Sequence, residues 1–152
     1  MWDDFDDEPD FEEDGEFDYR KEQERIFKHP LMKKSKEIIG LTRALVGSLD
    51  EARRELYGNI MMEDAAIMSA KFSAAENFPD YITKMENAVL MKLHAKSLNS
   101  MTYQLALEET HAEEHLELLR VAIEDFRKLF LSWITTFDSD KKSDDGWGMF
   151  MN

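Results

Sequence analysis

A stretch of thirteen residues, 65–77 (AAIMSAKFSAAEN), constrains the fold of this chain more than any other part of the sequence. Alanine and serine supply most of it, and only an isoleucine, a methionine and a phenylalanine add bulk. Alanine favours a helix, and short side chains allow neighbouring helices to approach its backbone closely. The sequence therefore predicts that this segment is the central helix of a bundle.

Other segments repeat apolar residues every three or four positions, which is the spacing of one helical face. No alternation typical of a strand occurs. Four helices are predicted: about 31–49, a second that begins within 51–59 and ends near 77, about 81–107, and a fourth from 109–113 to 137. Short connections favour antiparallel neighbours, so we expect an all-α fold, an antiparallel up-and-down four-helix bundle over residues 29–137.

Local signals set the predicted helix boundaries. Gly58 follows Tyr57 within the second helix, where glycine is costly, so we expect a bend or a fresh start there. Pro79 pushes the residue before it out of helical conformation, and Asp80 can then cap the third helix. Thr110 is a candidate cap for the fourth helix.

The net charge of −14 is concentrated at the start of the chain, where residues 1–27 hold 13 acidic and 3 basic side chains. Such a charge density with few aliphatic residues predicts a disordered acidic tail over residues 1–28. The alternative is an acidic-aromatic segment that docks on a basic partner or back on the bundle. Residues 138–152 form a second, polar and aromatic tail, in which Trp147 and Phe150 are candidate partner-binding residues.

Composition excludes several classes of site. The chain has no cysteine, so it has no disulfide and no thiolate ligand or nucleophile. No apolar run approaches the roughly 20 residues that span a bilayer, and the acidic start does not resemble a secretory signal. We therefore expect a cytoplasmic protein without a membrane partner. Nucleic-acid binding is disfavoured by charge, because contact with phosphates needs concentrated lysine and arginine.

The densest group of potential metal ligands contains Glu108, His111 and His115. The two histidines are four residues apart, which would place them on one face of a helix. A di-iron bundle would need a second Glu-x-x-His on another helix, and the chain has none. We also find no phosphate-binding glycine loop and no nucleophile motif. The sequence thus favours no catalytic residue, no cofactor and no metal, with these three side chains kept as metal candidates.

Read together, KSKEIIGLTRALV, the pair Tyr57-Gly58, AAIMSAKFSAAEN and ENAVLMKLHAKSL resemble a known pattern. They are similar to the four-helix-bundle proteins encoded in intervening sequences of large-subunit ribosomal RNA genes, and to the accessory protein of diversity-generating retroelements. This resemblance implies a non-catalytic protomer in a ring-like homo-oligomer, and pentamers are seen in the family. The retroelement branch binds a reverse transcriptase and nucleic acid through a basic surface, whereas residues 28–137 of this chain are nearly neutral.

Three functions follow as hypotheses. The first is a non-enzymatic interaction or assembly protein that forms homo-oligomers and recruits an unknown protein partner. The alternatives are an accessory nucleic-acid-binding protein of the retroelement type and a metal-binding bundle that uses His111 and His115. One group of residues is predicted to serve oligomer or core packing: Ala66, Ala70, Ala74 and Trp133.

Overall fold

The computed structural model describes residues 11–152, without the side chains of residues 11–14 and 17. This part of the chain is all-helical and contains no strand, so the prediction of an all-α fold is confirmed. Five helices occur in it: α1 Phe11–Lys28, α2 Pro30–Gly47, α3 51–77, α4 Tyr81–Leu107 and α5 Glu113–Ile134.

The first helix corrects the prediction of a disordered tail, because residues 11–28 form α1. Its last turns contact the rest of the molecule: Ile26 is buried, Arg25 pairs with Glu76 at 3.1 Å and Gln23 donates to Asn77. The buried isoleucine supplies the apolar contact that the charge count did not reveal. Residues 1–10, the other part of the predicted tail, lie outside the described residues.

The second correction concerns Gly58, which does not interrupt α3. A π-helical turn over Arg54–Gly58 joins Glu51–Arg53 to Asn59–Asn77, and the helix continues through it. Gly58 is buried, and a Cβ atom added there would lie 3.1 Å from Cγ1 of Val46. The glycine therefore allows α3 to pack closely against α2, and the turn absorbs the change of helical phase.

The core lies between α2, α3, α4 and α5. Helix α3 packs on α2 and on α4, while α5 packs on α2 and less extensively on α4. The central segment 65–77 lies in α3, as its composition predicts, and contributes Phe72 to the core. The largest fully buried side chains come from all four helices: Leu31, Ile38, Met61, Met68, Phe72, Ile82, Met91, Leu98, Leu105, Leu116, Leu119 and Phe126.

Helix ends agree with the sequence in one case and differ in another. Asp80 accepts a hydrogen bond from the backbone N–H of Thr83 at 3.0 Å, so it caps α4 as expected. Helix α5 begins only at Glu113, and Ala112 occupies its cap position without a side-chain hydrogen bond. Thr110 instead donates its hydroxyl to the carbonyl of Leu105 at the end of α4. The predicted cap was therefore wrong, because this threonine closes the preceding helix.

Candidate functional site

A groove with a volume of about 630 Å³ lies between α4 and α5. Its floor is mostly apolar and comes from both helices: Ala88, Ala95, Ile123, Phe126, Phe130 and Leu131. Of these, Ala88, Ala95, Ile123 and Phe126 are buried, whereas Phe130 is partly buried and Leu131 is exposed. A concave apolar surface of this size suits an apolar side chain or peptide segment.

Cationic side chains line the edge of this groove. Lys92 and Lys96 lie four residues apart on α4, are exposed, and have no acidic partner among the described side chains. Arg127 on α5 is already paired, because its Nε donates to Glu124 at 2.8 Å. The two lysines thus leave positive charge available beside an apolar floor.

Arg120 is buried at the end of the groove, with 8 % of its surface exposed. Its guanidinium donates to the hydroxyl of Thr102 at 2.9 Å and to Glu113, and it stacks 4.1 Å from the ring centre of Tyr103. Burial lowers the pKa of Arg120, but hydrogen bonds to Glu113 and Glu117 outweigh it and raise the pKa overall. The arginine therefore joins α5 to α4 through Thr102 and Tyr103. The sequence analysis did not single out Arg120. Its position between the apolar Leu119 and Ile123 is the signal that could have placed it on the buried face of α5.

A second buried polar cluster joins α3 to α4. Asp64, which is 4 % exposed, accepts hydrogen bonds from Nδ1 of His94 at 2.8 Å and from the hydroxyl of Ser97 at 2.7 Å. The serine bonds to the carboxylate and not to the imidazole, so the cluster lacks the nucleophile-to-base contact of a hydrolase triad. The arrangement satisfies a buried charge and fixes the register of the two helices.

The predicted metal candidates, Glu108, His111 and His115, do not form one ligand group among the described side chains. His111 lies in the loop before α5, and its Nε2 is 2.6 Å from the hydroxyl of Ser48. His115 is in the first turn of α5, so the expectation of one shared helical face was wrong. Glu108 accepts from Tyr57 at 2.8 Å and pairs with Arg53 at 3.1 Å, and these bonds lower its pKa. Among the described side chains, no group of three or more His, Asp or Glu is placed to hold a metal.

The small residues predicted for packing occupy two different environments. Ala66 and Ala70 are exposed and Ala74 is half-buried, whereas Ala65 and Ala75 lie in the core. The core-facing stripe of α3 passes through Ala65 and Ala75, so the exposed Ala66 and Ala70 lie outside the core of this protomer.

Trp133 is buried where α3, α5 and the end of α1 meet. Its ring lies 5.3 Å from that of Phe72, and its Nε1 donates to Glu76, the same carboxylate that pairs with Arg25. The ring of His29 also lies against Phe72, with 4.8 Å between the ring centres. This cluster ties the start of α2 and the end of α1 to the central helix.

The C-terminal segment is attached at its base and exposed at its aromatic residues. The backbone carbonyl of Lys141 accepts from the backbone N–H of Tyr81 at 2.8 Å, and Ser143 donates its backbone N–H to the carboxylate of Asp80. Beyond these contacts Trp147 is 82 % exposed, while Phe150 is partly buried. The structure therefore presents one aromatic side chain of the predicted partner-binding pair to solvent.

No family model matches this chain, and neither the curated proteins nor the solved structures contain a significant match to it. No helix in the described part of the chain has both the length and the apolar character needed to cross a membrane. Evidence on function therefore comes from the surfaces and clusters of the molecule itself.

Proposed function

We propose that this chain is a non-enzymatic interaction protein whose α2–α5 helices form an antiparallel up-and-down four-helix bundle that assembles into homo-oligomers. The resemblance to proteins of the ribosomal RNA intervening-sequence type is part of the same proposal, as is the pentamer seen in that family. The predicted cytoplasmic location stays a prediction.

One observation carries the proposal: apolar side chains lie on both sides of α3, although the exposed Glu63 lies among those of the outer side. Its inner side contributes the buried Met61, Met68 and Phe72. Its outer side carries Ile60, which is 50 % exposed, and the exposed Ala70. A helix at the surface of a monomer normally has a polar outer face, so the exposed Ile60 and the small residues beside it favour coverage by another protein.

Small and aliphatic side chains on this outer face suit close contact between helices. Positions 60, 67, 70 and 74 fall on one side of a helix with 3.6 residues per turn. Alanines there would allow the backbone of a second copy to approach closely, and the isoleucines would supply buried apolar area. A self-complementary surface of this kind is typical of homo-oligomers.

The test is the mass in solution of Ala70→Asp beside the matched control Ala44→Asp. Both alanines are exposed within helices, on α3 and α2 respectively. We expect Ala70→Asp to lower the light-scattering mass toward one protomer while the helical circular dichroism is unchanged. Ala44→Asp should keep the wild-type mass. Equal masses for the two variants would refute an interface on this face.

The nucleic-acid alternative has less support. Lys92 and Lys96 are the described cations of the groove edge that lack an acidic partner, and the full chain carries a net charge of −14. Two lysines beside an apolar floor are too few for a phosphate-binding surface, which normally uses many Lys and Arg side chains. The groove suits a peptide with acidic and aromatic residues better.

A further inference from the structure

The groove between α4 and α5 has two properties that a ligand must match. Its lining is mostly apolar and includes the exposed Val89 and Leu131, and its α4 edge carries Lys92 and Lys96, which have no acidic partner among the described residues. A matching ligand needs aromatic or aliphatic side chains for the floor and carboxylates for the edge.

Residues 1–10 (MWDDFDDEPD) have this chemistry. They contain Trp2 and Phe5, six acidic side chains and no basic side chain. Aromatic anchors between carboxylates are complementary to an apolar floor edged by lysines. This segment lies outside the described residues and directly precedes α1 in the sequence.

The attachment of α1 favours a groove on another copy. Helix α1 packs on α2, and its ties to α3 lie between Gln23 and Ile26, whereas the groove lies between α4 and α5. Phe11 is twelve residues before Gln23, which places it about 18 Å away along the helix. Phe5 is six residues before Phe11, and an extended segment of that length spans at most about 21 Å. Reaching back along α1 to the level of Gln23 would use nearly all of this span, which leaves too little chain to reach the groove of the same copy.

We infer that residues 1–10 of one copy bind the α4–α5 groove of a second copy, with Trp2 and Phe5 on the apolar floor and the acidic side chains beside Lys92 and Lys96. This inference rests on the proposed homo-oligomer and names a contact within it. The exchanged segment would cover the apolar surface that α4 and α5 leave open.

The test uses the full chain with a photoreactive phenylalanine analogue, p-benzoylphenylalanine, at position 5. Chains labelled with ¹⁴N and ¹⁵N are mixed unfolded, refolded together and irradiated, and the cross-linked peptides are identified by mass spectrometry. We expect cross-links from position 5 to residues 85–100 or 120–134, in pairs that combine both isotopes. Cross-links within one isotope only would mean that the segment occupies its own chain, and cross-links elsewhere or none would reject the groove; each result overturns the inference.

Charge-reversal variants provide the matched control. Lys92→Glu with Lys96→Glu should reduce the cross-linking yield about tenfold at low salt, since two attractive pairs become repulsive. Lys33→Glu with Arg43→Glu changes the net charge equally on α2, where both side chains are exposed and distant from the groove, and should leave the yield unchanged. A similar loss in both double variants would refute a specific contact with the α4 lysines.

The light-scattering mass of the same samples shows whether a negative result rejects only the groove contact or the homo-oligomer as well. An oligomer by light scattering that lacks these cross-links would reject the groove contact and leave assembly intact. A monomer would reject both, because no second copy would then be present to supply the segment.

Discussion

Replacing Asp64 by alanine tests the buried polar contact between α3 and α4. The carboxylate accepts two hydrogen bonds, at 2.8 Å from His94 and at 2.7 Å from Ser97. Hydrogen bonds to a charged group contribute about 1.5–3 kcal/mol each, and the cost of burying the carboxylate offsets part of that sum. The side chain of His94 is 27 % exposed, so water can replace some of its lost contact. We expect Asp64→Ala to reduce the free energy of unfolding by about 2–4 kcal/mol.

The assay is urea unfolding followed by circular dichroism, with all variants at the same protein concentration because assembly adds to apparent stability. Glu63→Ala is the matched control, since Glu63 is the exposed neighbour on the same helix and should change stability by less than about 0.5 kcal/mol. The triple variant Asp64→Leu, His94→Leu, Ser97→Ala should be more stable than Asp64→Ala, because it leaves no polar group without a partner. An Asp64→Ala variant as stable as Glu63→Ala would refute the reasoning.

Further variants test the core and its ionisable groups. Ala65→Leu should lower the free energy of unfolding by about 1–3 kcal/mol through overpacking, while Ala44→Leu, at an exposed position on α2, should change it by less than about 0.5 kcal/mol in urea unfolding. Thr42→Val should raise it by about 1 kcal/mol, because the buried hydroxyl has no hydrogen-bond partner among the described residues; an unchanged or lower urea midpoint would contradict this. Burial lowers the pKa of His29, whose Nδ1 accepts from Leu31, so below about pH 6.5 the unfolded chain takes up a proton that the folded chain resists. Stability should therefore fall as pH decreases from 7 to 5, and His29→Asn, which keeps a cap acceptor, should show a flatter pH profile of melting temperature than the wild type.

The fold was largely predictable because the helical periodicity is strong and the stops are chemically clear. The third predicted helix, 81–107, has the observed bounds of α4, since Pro79 and Asp80 define its start. The start of α5 was less predictable. Thr110 has the right chemistry for a cap, and only the position of Leu105 in space shows that its hydroxyl closes α4 instead.

Functional surfaces were harder to predict because they depend on which helical face meets which neighbour. The alanines of α3 look alike in sequence, yet Ala65 is in the core and Ala70 is exposed. The hydrogen bond between His94 and Asp64 depends on α3 and α4 lying side by side, which neither helix shows by itself. The groove itself arises from loose contact between α4 and α5, which no periodicity in either helix predicts.

The α1 helix shows a different limit of sequence reasoning. Average charge over residues 1–28 predicts disorder, but a few contacts at one end are enough to attach a helix. Ile26 is buried, and Arg25 pairs with Glu76 within the Trp133 cluster. Composition averages over the whole segment, so it does not reveal the one turn, around Arg25 and Ile26, that contacts the bundle.

The central claim is that this chain assembles with copies of itself, and the mass of the purified full-length protein in solution tests it most directly. Light scattering after size-exclusion chromatography, at several concentrations, should give an integral multiple of the 17.8 kDa protomer mass, with five copies as the proposed number. A mass of 17.8 kDa at every concentration would contradict the account.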